Sequence, residues 1–155
     1  MNKKGFTLTE LLAVVAIIGI LSLIAIPNII GTVDNIKKDN MVSDAKKLIS
    51  LTQMEVNSSY DIKNFMDTTK CNLTGTTKIC KFYFNEINKN KDIKNDPDDG
   101  SYSNESYVEY QRDASGNISY CIYLLGSKRK IEGETTGSCV KENNLYSKDV
   151  VKGRN

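Results

Sequence analysis

Residues 5–10 read Gly5-Phe6-Thr7-Leu8-Thr9-Glu10, and residues 11–33 follow them without a charged side chain. An α-helix rises about 1.5 Å per residue, so the uncharged run is long enough to cross a bilayer. An ionised carboxylate that enters lipid costs about 2.5–3.5 kcal/mol even on lenient insertion scales. Glu10 therefore needs a positively charged partner.

The partner that we predict for Glu10 is an amine that the uncut chain does not expose. Cleavage between Gly5 and Phe6 would leave an ammonium group on Phe6, within reach of a Glu10 carboxylate on the same or a neighbouring chain. In an assembly of such chains, this ion pair would set the axial position of each subunit.

Two simpler interpretations of the apolar run compete with this one. A secretory signal peptide fits less well, because Glu10 interrupts the step from basic to apolar residues and no A-x-A cleavage site follows. A plain single-span anchor is the stronger of the two alternatives, and only the Gly-Phe-Thr-Leu-x-Glu arrangement of residues 5–10 outweighs it. Lys3 and Lys4 place the N-terminus in the cytoplasm by the positive-inside bias, so the rest of the chain would face outward.

The N-terminal segment resembles the type IV prepilin signature, in which a glycine at the cleavage site precedes Phe-Thr-Leu-x-Glu and an apolar helix. Gly5, Phe6 and Glu10 stand at the diagnostic positions. The resemblance implies cleavage after Gly5, N-methylation of Phe6 and an assembly role for Glu10. It divides the chain into a leader (1–5), a transmembrane and assembly helix (6–33) and a globular pilin head (34–155).

Apolar residues recur at helical spacing after the membrane run, so residues 6–57 are predicted to form one long, interrupted helix. Its second half is amphipathic and should pack on the head. Gly19 costs about 1 kcal/mol relative to alanine, and Pro27 about 3 kcal/mol in a helix interior, which makes both candidate helix breaks. In type IV filaments the corresponding segment can lose helicity, so the resemblance suggests that residues 19–27 could melt. The predicted apolar stripe consists of Ile29, Val33, Ile36, Val42, Ala45, Leu48, Ile49, Thr52 and Val56.

Strand signals dominate the C-terminal part of the chain. Residues 107–111 and 118–124 flank a hairpin connection at 113–117, which contains a glycine for positive φ. A third strand is predicted within 127–134, and residues 79–84 form a short strand or helical turn. We expect an α+β fold in which the long helix packs against an antiparallel sheet of three or four strands. This is also the pilin architecture.

The chain has four cysteines and no histidine. Without histidine, Ser-His and Cys-His nucleophile pairs and mixed Cys/His zinc sites cannot be built, so we expect no enzyme. Four cysteines allow three disulfide pairings. Sequence proximity favours Cys71 with Cys80 and Cys121 with Cys139, and the resemblance supports the second pair more. Free thiols rank second, and a zinc site made of all four cysteines ranks third because its close C-x-x-C spacing is missing.

No metal or other cofactor is predicted. Asp96, Asp98 and Asp99 do not match the calcium-loop template and are assigned to a solvated turn within a loop at 88–100. The basic residues at 128–130, and Lys89, Lys91 and Lys94, are assigned to the surface. Removing the two leader lysines changes the formal charge from +2 to 2 − 2 = 0, so nucleic acid is not indicated.

The resemblance implies a structural role as a subunit of a type IV pilus, a surface filament used in adhesion, motility or aggregation. The implied partners are further copies of the chain, other pilins, a prepilin peptidase, and a pilus assembly platform with its ATPase. The chain would be a single-pass membrane precursor before assembly and extracellular afterwards. A pseudopilin of a type II secretion or DNA-uptake machine would share this N-terminus and is the alternative.

Overall fold

Helix α1 spans Leu8–Ser58 in the computed structural model, which describes residues 7–90 and 92–153. The predicted long helix is confirmed, and its predicted first residue, Phe6, lies outside the described residues. The backbone is helical through both Gly19 and Pro27, so α1 is not interrupted there. Loss of helicity at 19–27 in a filament stays a prediction.

The chain divides into two compact units, Met1–Ile36 and Lys37–Asn155. In the second unit the amphipathic part of α1 forms the centre of the core, as the apolar stripe predicts from Val42 onward. Its buried side chains pack against Val108, Ile122 and Leu124 of the sheet. Thr52 satisfies its hydroxyl by donating to the carbonyl of Leu48 at 2.9 Å. The buried residues of α1 are Met41, Val42, Ala45, Leu48, Ile49, Thr52 and Val56.

Within the described residues of the second unit, seven antiparallel strands form the sheet, in the order β1-β2-β3-β4-β5-β7, with β6 paired to β4. They are β1 Cys71–Thr74, β2 Thr77–Tyr83, β3 Tyr107–Arg112, β4 Ile118–Leu125, β5 Arg129–Ile131, β6 Val140–Lys141 and β7 Val150–Lys152. Short helices α2 Tyr60–Lys63 and α3 Phe84–Ile87 and two 3-10 turns, Glu142–Asn144 and Ser147–Asp149, complete the unit.

The α+β class and the central hairpin agree with the sequence. Strands β3 and β4 match the predicted runs, and Gly116 adopts φ 88° in the turn between them. The third predicted strand is β5, and the ambiguous segment at 79–84 is mostly strand β2. The expected sheet of three or four strands was too small, because three short strands, β1, β6 and β7, lack a recognisable alternation of apolar and polar residues.

Candidate functional site

The start of α1 is held by a reciprocal pair of contacts between Thr7 and Glu10. The Thr7 backbone N–H and hydroxyl donate to Oε2 of Glu10 at 2.8 and 2.9 Å. In return, the Glu10 backbone N–H donates to Oγ1 of Thr7 at 3.3 Å. This is a capping box, which satisfies donors that a helix N-terminus otherwise leaves open. Glu10 is therefore positioned by its own helix.

Thr7 is the residue at this site that the sequence interpretation missed. The signal was present, since a threonine followed three residues later by a glutamate marks a helix start. Gly5 and Phe6, the predicted cleavage and methylation sites, lie outside the described residues. Their roles stay predictions.

The side chains that follow Glu10 present an extensive apolar surface. The large aliphatic residues at positions 8–23 and 29–36 keep 43–78% of their surface exposed. Full burial of one such side chain is worth about 1.5–3 kcal/mol, so a surface of this extent marks a site of interaction. The exposed residues are Leu8, Leu11, Leu12, Val14, Val15, Ile17, Ile18, Ile20, Leu21, Leu23, Ile29, Ile30, Val33 and Ile36.

Ser22 is compatible with an apolar environment, because its hydroxyl donates to the carbonyl of Ile18 at 2.7 Å. Gly19 has open space where a Cβ would stand, so its lack of a side chain is not required by packing within the chain. Within residues 7–90 and 92–153, no helix combines the length and the apolarity of a membrane span.

Both cysteine pairs favoured by sequence proximity form disulfides. Cys71 and Cys80 are register partners on β1 and β2, and their bond ties the edge of the sheet. Cys121 of β4 is joined to Cys139, which closes the segment containing β5.

Glu109 lies beside the second disulfide, close enough to Cys121 and Cys139 to suggest a metal cluster. Its carboxylate is paired with the Lys81 ammonium at 3.1 Å. The two sulfurs are bonded to each other, so this cluster has no thiolate to offer a metal.

The acidic loop differs from the solvated turn that the sequence predicted. Asp96 is only 4% exposed, and its carboxylate accepts hydrogen bonds from the backbone N–H groups of Asp98, Gly100 and Ser127. A buried carboxylate must be satisfied in this way or by a cation. Of the three aspartates, Asp99 alone is exposed, as predicted.

Asp98 forms a buried ion cluster with two basic residues. Its side chain is 4% exposed, and the Arg129 guanidinium contacts Oδ2. The ammonium group of Lys37, on α1, lies 3.0 Å from Oδ1, and the side chain of this lysine is only partly buried. Arg129 begins β5 and is itself buried, so its assignment to the surface with its neighbours at 128–130 was wrong. The cluster joins α1, the 88–106 connection and the sheet. We call Asp98, Lys37 and Arg129 the buried triad.

The lysines predicted at the surface of the 88–100 loop are exposed where the structure describes them. Lys89 and Lys94 are both exposed, and Lys91 lies outside the described residues. The Lys89 ammonium lies 3.7 Å from the exposed Glu55 carboxylate. Exposed ion pairs of this kind contribute at most about 1 kcal/mol, so the pair leaves the surface assignment unchanged.

The electrostatics of the acidic loop favour the ionised acids. Burial would raise the pKa of Asp96, but the hydrogen bonds from Ser127, Asp98 and Gly100 outweigh it and hold the pKa below its ordinary value. Burial likewise opposes ionisation of Asp98, and Arg129 and Lys37 overcome it, so the pKa of Asp98 is also lowered. At a pH above the ordinary pKa of an aspartate, the ionised carboxylates of Asp96 and Asp98 therefore stabilise the folded second unit.

Lowering the pH should reduce the free energy of unfolding of the second unit, and part of this loss should depend on Asp98. Because the folded-state pKa lies below the unfolded one, the stabilisation is complete above about pH 5 and is lost as the pH falls through the lowered pKa. We expect urea midpoints of the full-length chain in detergent to fall between about pH 5 and about pH 2. Asp98→Asn should make this dependence shallower and leave the part due to Asp96, whereas Asp99→Asn, at the exposed neighbour, should keep the wild-type slope. Equal slopes in both variants would contradict the assignment.

Comparison with known proteins finds similarity over limited stretches of the chain. Residues 1–26 match the family described as the prokaryotic N-terminal methylation motif. A stretch of 53 residues is 38% identical to the type II secretion system core protein G of Klebsiella michiganensis. It covers 34% of this chain and spans 37% of the length of that protein. No solved structure matches the chain.

Proposed function

We propose that this chain is a pilin-like protein, which its N-terminal methylation motif and its similarity to a type II secretion core protein support. More specifically, it is a structural subunit of a type IV pilus, cut after Gly5 and polymerised through its N-terminal helix. The proposed filament serves adhesion, motility or aggregation at the cell surface. The role is structural and not catalytic.

The observation that carries this proposal is the apolar surface of α1 at residues 11–33, which has no charged residue and directly follows Glu10 in the first turn of the helix. In a membrane, lipid would cover this surface. In a filament, the helices of neighbouring subunits would cover it instead, with close packing as the driving force. A subunit that repeats one contact head to tail without closing a ring forms an open helical fibre.

The precursor would wait in the membrane with its N-terminus in the cytoplasm and its second unit outside. A prepilin peptidase would release residues 1–5, and N-methylation of Phe6 would follow. A pilus assembly platform with its ATPase would then move the subunit from lipid into the filament, where other pilins are further partners.

A pseudopilin is the second candidate function, and the similarity to a type II secretion core protein favours it. Both functions need the same processing and the same apolar helix. Electron microscopy distinguishes them, because a pilus subunit forms long surface fibres and a pseudopilin forms short ones confined to the envelope.

Substitution of Gly5 tests the proposed processing. Gly5→Leu should leave the precursor uncut and in the membrane fraction, because a bulky side chain at the cleavage position would obstruct the peptidase. Immunoblots of fractionated cells would show a slower band with no sheared filaments. Gly19→Ala is the matched control, since it changes a glycine in open space and should be processed like wild type. Filaments of normal yield from Gly5→Leu that retain Met1 would refute this scheme.

A further inference from the structure

A groove of about 690 Å³ lies between α1 and residues 145–148. Its floor is apolar, because Val42 and Leu145 reach it from the core. Tyr146 forms an exposed wall, and the Lys148 ammonium lies 5.3 Å from the centre of its ring. Such a mixture of an apolar floor and a polar rim is typical of a surface that receives a partner.

The rim of the groove carries a net positive charge. Two lysines, Lys46 and Lys148, line it together with one acid, Asp39. Asp39 is already engaged, since its carboxylate accepts a hydrogen bond from Ser147. Lys46 is exposed and has no acidic partner within the described part of the chain. The groove therefore fits a segment that carries an acidic side chain for Lys46.

The same chain presents a loop at residues 133–137 with one acid, Glu134, and no basic residue; we call it the disulfide-loop tip. Glu134 is exposed there and has no hydrogen bond or ion pair among the residues that the structure describes. The tip is well ordered by its own contacts, because Gly133 donates to the Ser138 carbonyl at 2.9 Å and Gly137 donates to Glu132 at 2.6 Å. An ordered loop loses little conformational entropy when it docks.

The groove and the tip lie on opposite faces of the sheet. Val42 and Leu145 at the groove share a core with Val108 and Ile122, which point to the face that α1 covers. Successive residues of a strand point to opposite faces. The strand neighbours of those two core residues therefore face the other way, and they hold the tip. They are Tyr107, which donates to the Gly137 carbonyl at 2.6 Å, and Cys121, which is joined to Cys139.

From this charge complementarity and placement, we infer that the groove of one subunit receives the disulfide-loop tip of a second copy, with Glu134 beside Lys46. Complementary surfaces on opposite faces cannot both be used in a closed two-fold dimer, and they extend a chain of subunits instead. The inference rests on the proposed filament function and adds a specific contact between the second units. It predicts that electrostatic matching at this contact contributes to filament yield.

Charge-reversal substitutions test the contact between Lys46 and Glu134 in filaments that cells produce. Lys46→Glu and Glu134→Lys should each reduce sheared filaments by at least about tenfold, because each places like charges together. The double variant Lys46→Glu with Glu134→Lys should recover most of the wild-type yield. Lys94→Glu, a reversal at an exposed lysine outside the groove, should assemble normally. All variants should be cut after Gly5 and keep both disulfides, which shows that they fold and enter the pathway.

A second readout does not depend on yield. A water-soluble carbodiimide joins a lysine to a glutamate in contact as an amide, with loss of water to the reagent. Mass spectrometry of treated wild-type filaments should find Glu134 joined to Lys46 or Lys148, and detergent-solubilised subunits should lack this product. Filaments without the product, and with yields unchanged by the reversals, would overturn this contact alone. Failure of the wild-type chain to form any filament would overturn the proposed function as well.

Discussion

Replacing Glu10 by alanine should abolish filament formation while leaving cleavage after Gly5 intact. The new ammonium group on Phe6 would have no carboxylate to neutralise it among apolar helices. Removal of one partner from a buried ion pair typically costs about 3–5 kcal/mol, which corresponds to a loss of at least about a hundredfold in assembly. Immunoblots of sheared filaments and of membranes would measure assembly and cleavage separately.

The capping box requires two further variants, because Glu10 also supports the start of α1. Thr7→Ala removes the capping partner and keeps the acid, and loss of such a cap costs about 1 kcal/mol. Glu10→Gln keeps a hydrogen-bond acceptor for Thr7 and removes the charge. If charge pairing controls assembly, Glu10→Gln should fail like Glu10→Ala, and Thr7→Ala should still assemble. Wild-type filament yield from Glu10→Gln would show that capping, and not charge, explains this residue.

Replacing Arg129 by alanine should destabilise the second unit by about 1.5–3 kcal/mol, because the Asp98 carboxylate loses a charged hydrogen-bond donor and keeps only Lys37 beside it. This is a large fraction of the total stability of a domain of this size, about 5–15 kcal/mol. The effect should appear as a lower urea midpoint of the full-length chain in detergent with an unchanged slope.

Lys128→Ala is the matched control for this measurement. Lys128 precedes Arg129 in sequence but its side chain is exposed, and surface substitutions of this kind usually stay within about 0.5 kcal/mol. Equal midpoints for the two variants would show that the buried triad does not stabilise the unit. A loss confined to Arg129→Ala would establish that the 88–106 connection is held to α1 and the sheet by charge.

The sequence predicted those parts of the fold in which apolar residues keep one regular spacing over many positions. The apolar spacing from Val42 to Val56 identified the buried face of α1, and the alternation around Gly116 identified the β3–β4 hairpin. Strand β6 has only two residues, which are too few to show a period. Strands β6 and β7 form because the tertiary structure brings them beside β4 and β5, and a local pattern cannot show this.

The buried triad was hidden for a related reason. Asp98 and Arg129 are 31 residues apart, and each stands among other charged residues that suggest a solvated surface. Their burial follows from where the chain folds back, which a single sequence does not show. Glu10 is the opposite case, because an acid before 23 uncharged residues is visible without any structure.

The proposed cleavage after Gly5 and the proposed pairing of Glu10 both depend on which residue begins the assembled subunit. Intact-mass and N-terminal peptide mass spectrometry of filaments purified from cells would determine it in one experiment. We predict a chain that begins at Phe6 and carries one methyl group on its α-amine. A chain that retains Met1, or one that begins well after Phe6, would contradict the pairing of Glu10 with an amine created by cleavage.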